Sequence, residues 1–384
     1  MTCRVLPIFL TWLLAACATT SSDPPGDKEK IGPENVLNAS PLAENGTIGQ
    51  LSPVDILAAS PEMKAFIDEH VDREGNQNQR LAQLVVAVIS GDRFKLAYDD
   101  STRTAQETFD SRRGNCVSFT NMFIAMARDI GLDALYQEVE IPPDWSMTGQ
   151  TYLLSEHINV LVKIKNALPR VVDFNVYEFH SKNESREISD ERARAHYFNN
   201  IGVELMLRDD TRLAFANLQQ SLREDRNFAS AWVNLGILHR REGYPGYAEV
   251  AYQQALTLDR GNQMAMSNLA NLYLEEGRED EAQQYLRRVQ SHRLKNPFYR
   301  YQLANQAFSE GNYDTAIKNL KVAIRQREDE DRFYYLLSLS YLMNGDRDQA
   351  RRWMKKAEDM ARQAQSQQKY HHKLDLLREQ DADL

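Results

Sequence analysis

Arg113-Gly114-Asn115-Cys116-Val117-Ser118-Phe119 is the stretch on which the reading of this chain turns. It joins a short polar loop to an apolar run. Phe119, Met122, Phe123, Ala125, Met126, Ala127 and Ile130 recur at helical spacing with a broad apolar face, and Gly131 marks the end. The spacing therefore predicts a buried helix with Cys116 in its first turn. Unpaired N–H groups and the dipole at a helix start favour a thiolate there. The polar loop before it leaves the sulfur reachable. Cys116 also stands alone, because the other two cysteines, Cys3 and Cys17, lie in the N-terminal signal described below.

Downstream, Leu135–Ile141, His157–Ile164 and Pro169–Phe174 read as strands of a small antiparallel sheet. In the second of these, Ile158, Val160, Val162 and Ile164 alternate with Asn159, Leu161 and Lys163, which predicts one well-buried face. His157 opens that strand, and Asp173 lies at the end of the next. A thiol followed by a His and an Asp, at separations of 41 and 16 residues, has the parts of a nucleophile, a general base and a group that fixes the imidazole. The Cys116 backbone N–H, at a helix start, is a ready oxyanion donor. Ahead of the cysteine, Ser52-Pro53 predicts a helix start. Further helices are expected over Glu62–His70, Leu81–Ile89 and Thr104–Ser111. Residues 51–185 are thus expected to form one α+β domain.

On these residues the middle of the chain, about 75 to 180, resembles a transglutaminase-like domain of the papain-related superfamily. The helix ending Ala127-Arg128-Asp129-Ile130-Gly131, the strand His157-Ile158-Asn159-Val160-Leu161-Val162 and the segment Val172-Asp173-Phe174-Asn175 carry the resemblance. It implies that Cys116 is the nucleophile, His157 its base and Asp173 the orienting acid. Two positions depart from the family pattern: Asn159 stands where an aromatic is frequent, and Phe174 where Trp or Pro is frequent. Trp145 and Tyr152 lie between the cysteine helix and the histidine strand, either lining an acyl-substrate groove or packing a loop.

From about 195 to 362 the chain repeats every 34 residues. Gly202, Gly236, Ala270, Ala304 and Ser338 share one position; Ala214, Ala248, Ala282, Ala316 and Ala350 another. Leu218, Tyr252, Leu286, Leu320 and Met354 share a third, and Asp209, Gly243, Gly277, Gly311 and Gly345 fill the turn. Small residues let two helices approach closely, and a large one packs against the neighbouring unit. The pattern resembles five tetratricopeptide repeats (TPRs), an all-α solenoid that binds protein partners in its concave groove. A last helix over 347–379 is expected to cap it, with 363–384 as a C-terminal cap or tail. The chain is mostly helical overall.

At the other end, Arg4, the apolar run Val5–Leu14 and Leu14-Ala15-Ala16-Cys17 read as a lipoprotein signal over 1–17, with Cys17 the lipidated residue. Ala18 offers no inner-membrane retention signal, so the expected location is the outer membrane facing the periplasm. Residues 18–50, rich in Ser, Thr, Pro, Gly, Asn and Glu, are expected to be a flexible tether. A net charge of -9 with dispersed Lys and Arg argues against nucleic acid. No metal-ligand spacing or phosphate loop is present, so no cofactor is expected. His180, His196, His239 and His292 read as structural or exposed. Two functions remain open. One is a membrane-anchored cysteine hydrolase or acyltransferase, protease or amidase in preference to crosslinking enzyme, whose TPRs hold a protein substrate or partner. The other is a non-catalytic TPR scaffold of the cell envelope with a degenerate transglutaminase-like domain.

Overall fold

The computed structural model describes residues 31–44, 51–90, 94–139, 147–148, 151–152, 157–174 and 185–360. Its first domain is built around the helix Cys116–Asp129, in which every residue from Val117 to Ala127 is buried. The helix starts because the Asn115 side chain accepts the Ser118 N–H at 3.0 Å. It ends at Gly131, whose φ of +72° costs glycine nothing. Helices Pro61–His70, Gln77–Val85 and Ala105–Ser111 surround it. So does a four-stranded antiparallel sheet in the order Arg170–Val172, His157–Lys163, Asp133–Val139, Ser185–Ile188. Ile158, Val160 and Val162 join the helix in one core with Met122, Phe123 and Met126. The histidine strand is buried on both faces from His157 to Val162, beyond the single face its alternation predicts. Asn159 and Leu161 are covered as well; their mixed polarity hides this from a period-two reading.

Two local expectations are corrected. No helix starts at Ser52-Pro53. Asp55 captures the Leu57 N–H at 2.9 Å in a turn, and the Ile56 carbonyl accepts the Ala105 N–H at 2.9 Å. With those backbone groups committed, the helix begins at Pro61, capped by Ser60. The helix read through Ile89 is α only to Val85 and closes as a π-turn over Val86–Ser90.

The solenoid follows as helix pairs Asp190–Leu207 with Thr211–Glu224, Ala229–Arg241 with Pro245–Leu258, Gln263–Glu275 with Glu279–Arg293, Pro297–Ser309 with Tyr313–Gln326, and Asp331–Met343 with 347–360. The period-34 turn positions all adopt left-handed φ, from +63° at Asp209 to +89° at Gly345. The small residues mark true close approaches: a Cβ on Gly236 would stand 2.5 Å from the Tyr252 ring. The continuation of the last helix toward 379 lies outside the described residues.

The domains are joined by charge as well as by chain. Glu138, on the strand Asp133–Val139, accepts from Arg192 and Arg186 at 2.6 Å each and meets His196 Nε2 at 2.6 Å. Arg128, in the last turn of the cysteine helix, makes a two-pronged pair with Asp190 at 2.7 and 2.9 Å. Arg192, His196 and Asp190 all belong to the first solenoid helix, so the first domain and the repeats share an ionic joint that is buried around Glu138 and His196.

The tether expected over 18–50 is also corrected in its described part. Residues Pro33–Asn38 and Pro41–Glu44 are helical and lie on the solenoid. Val36, Leu37 and Leu42 are buried in the core of its first three repeats. Gln219 donates to the Leu37 carbonyl at 2.6 Å, and Ser40 Oγ meets His239 Nε2 at 2.8 Å. Composition suggested disorder because the three apolar anchors are scattered among polar residues; their partners lie some 180 residues away.

Candidate active site

Three elements deliver the three side chains. Cys116 stands at the first position of its helix and is partly exposed. Gly114 before it admits no larger residue, since a Cβ there would lie 2.4 Å from Ser118 Cβ. The loop is pinned by Asn115 Nδ2 donating to Thr102 Oγ1 at 2.7 Å and by Ser118 Oγ accepting the Arg103 N–H at 2.9 Å. It is braced by short parallel pairing of Ala97–Tyr98 with Arg113–Gly114. Asp99 binds both Arg103 and Arg113 there. The arginine bonds, Arg103 first, hold the Asp99 carboxyl down at about 2 against the opposing effect of burial.

His157, 4% exposed, opens its strand opposite Val139. Thr120 Oγ1, on the cysteine helix, donates to the Ile158 carbonyl at 3.2 Å and ties strand to helix beside the histidine. Asp173 sits one residue past the strand Arg170–Val172, and Phe174 anchors it by packing on Phe119 and Phe123 of the cysteine helix. His157 Nε2 donates to Asp173 Oδ2 at 2.7 Å and lies 2.9 Å from Oδ1. Cys116 lies near enough to the same imidazole to act on it by hydrogen bonding and charge. Burial is the largest influence on this imidazole and pulls its pKa down. The hydrogen bonds from Asp173 and Cys116, with their charges, outweigh it and raise the histidine to about 9.

Of the three residues singled out from sequence, His157 and Asp173 meet directly, and Cys116 acts on the same imidazole. Asn159 and Phe174, read as departures from a family pattern, both belong to the arrangement: Asn159 Nδ2 donates to Asp173 Oδ2 at 2.9 Å. Period-two spacing from His157 was the signal that places Asn159 on the same face. His196 and His239 are bound into the domain joint and the N-terminal helices. Trp145, His180, Cys17 and the side chain of Tyr152 lie outside the described residues.

A family model of the Transglutaminase-like superfamily matches residues 64–183, and one of the tetratricopeptide repeat matches 240–304 and 307–370. The chain is thus a transglutaminase-like domain followed by a helical TPR region, an architecture of the protein-interaction kind. Among solved structures it is similar to a crystal structure of MamA protein, 22% identical, covering 45% of this chain and 94% of that one at a TM-score of 0.26. It is also similar to MamA 41-end from Desulfovibrio magneticus RS-1, 18% identical, covering 46% and 97% at a TM-score of 0.26. No curated protein matches it.

Proposed function

We propose that this protein is a cysteine hydrolase or acyltransferase that acts on a carboxamide or peptide carbonyl, with hydrolysis favoured over crosslinking. One observation carries the reading: a buried imidazole holds the Asp173 carboxylate on Nε2, and Cys116, at the start of its helix, acts on the same ring. With His157 raised to about 9, the imidazole is protonated at neutral pH; the reactive form is a Cys116 thiolate beside that imidazolium. The thiolate attacks the carbonyl carbon, and the negative charge moves to the carbonyl oxygen near the Cys116 N–H at the helix start. As the tetrahedral species collapses, the imidazolium gives its proton to the departing nitrogen. Ammonia or an amine leaves, and a thioester remains. The neutral imidazole then takes a proton from water, whose oxygen displaces the sulfur; acid is released and the ion pair restored.

The repeats hold the protein substrate or partner. Leu14-Ala15-Ala16-Cys17 supports lipidation at Cys17 and a place at the outer membrane facing the periplasm. The test uses the full chain with Cys3→Ser and Cys17→Ser, so that Cys116 is the sole thiol. Iodoacetamide should alkylate it with an apparent pKa well below about 8.5, the free-thiol value, and His157→Ala should abolish that shift. A peptide library read by mass spectrometry then separates cleavage or deamidation from lysine crosslinks. An inert thiol, or one that titrates freely in both proteins, refutes the reading and leaves the repeats as a binding scaffold.

A further inference from the structure

Asn159 is fully buried, and its amide is divided between two conditions. Nδ2 donates to Asp173 Oδ2 at 2.9 Å, while Oδ1 is buried with no hydrogen-bond partner among the described residues. A buried acceptor without a partner works against folding, and an apolar side chain would fill the position without that cost. His157 and Asn159, two apart on one strand, share a face and grip one carboxylate between them. Asp173 itself lies past the end of its strand, where the ladder no longer fixes the backbone. We propose that Asn159 is a positioning residue, which pins the Asp173 carboxylate in the orientation that keeps both its oxygens within hydrogen-bond distance of His157 Nε2.

An amide suits this task better than a cation. Arg or Lys would neutralise the carboxylate and draw it away from the imidazole. Asn orients it and leaves its charge to act on His157. The titratable groups that act on His157 among the described residues are Asp173 and Cys116. Loosening Asp173 therefore weakens one of only two supports of the imidazolium.

The proposal rests on the catalytic reading for its consequence, but not for its test. His157 is followed by NMR titration in the full chain with Cys3→Ser and Cys17→Ser, and in the same chain carrying Asn159→Leu. The expected result is a fall in the His157 pKa of roughly one unit in Asn159→Leu, the scale of one lost charge-assisted hydrogen bond. Identical His157 titrations in the two proteins would overturn the proposal, whatever the thiol does. A freely titrating Cys116 in the parent would instead overturn the catalytic reading alone. Should Asn159→Leu fail to fold, the parent decides: one Asn159 side-chain amide proton should be shifted downfield and protected from exchange, and both properties should vanish in Asp173→Ala. Free exchange in the parent would refute the pinning.

Discussion

The imidazole of His157 and the carboxylate of Asp173 are 2.7 Å apart at their closest atoms, with side chains 4% and 6% exposed. Such a pair is shielded from solvent and commits Nε2 to the carboxylate. Its titration should be visible in stability as well as reactivity. The folded pKa of His157 lies above its ordinary value of 6.5, at about 9. The stabilisation it lends is therefore complete below pH 6.5, declines as pH rises, and is gone above about 9. Thermal melts from pH 6 to 10 should show a fall in that window, and the fall should be absent in His157→Ala. A parent melt independent of pH across the window would contradict the ion pair.

The loop ahead of the cysteine should tolerate no side chain. In Gly114→Ala the new Cβ would lie 2.4 Å from Ser118 Cβ, so the loop or the first turn must move. Misplacement by about 1 Å can cost on the order of 100-fold in rate. Alkylation of Cys116 should therefore fall far more than the melting temperature does. Equal effects on both would mean that the glycine serves only the fold.

Glu138 should hold the domains together. Burial disfavours its charge most, yet the hydrogen bond and charge of His196, followed by Arg192, keep its carboxyl well below the usual range. Stability from this group is present above about pH 4.3, the ordinary Glu value, and is lost as pH falls through the depressed folded value. Glu138→Ala removes the carboxylate that Arg192, Arg186 and His196 share and leaves Arg192 with Asp225 as its one carboxylate partner among the described residues, at about 1–3 kcal/mol. Calorimetry should show the first domain and the solenoid melting separately, where the parent melts in one step.

The N-terminal helices should come loose as a unit. Leu37 is 2% exposed, and its truncation to Ala removes contacts of about 2–5 kcal/mol in a well-packed core. That is comparable with what so short a segment can hold. Hydrogen exchange should show residues 33–44 losing protection in Leu37→Ala while the five helix pairs keep theirs. Ser40→Ala should act in the same direction, since it strips the Ser40 hydroxyl from His239 Nε2. Exchange unchanged in both variants would rule out this docking in solution.

Much of the molecule was legible because it repeats or punctuates itself. The period-34 small residues announced five helix pairs, since a Cβ-sized clearance is written directly as Gly, Ala or Ser. Gly131 and the apolar spacing announced the cysteine helix. Cys116, His157 and Asp173 could be singled out by residue type and order. That His157 meets Asp173 beside the cysteine helix depended on the register Val139↔His157 and on Phe174 packing against Phe119 and Phe123. Register is a relation between distant segments that no local pattern states.

The sequence by itself therefore determined the local elements, the repeat and the candidate residues, because propensity, capping and periodicity act over a few residues. Only the tertiary structure decided three things. It turned Asn159 from an apparent departure into a grip on Asp173. It brought Glu138 to the first solenoid helix. It also drew residues 33–44 out of a presumed tether and onto the repeats. Each is a contact between residues far apart in the chain, where burial and charge are settled by what packs alongside.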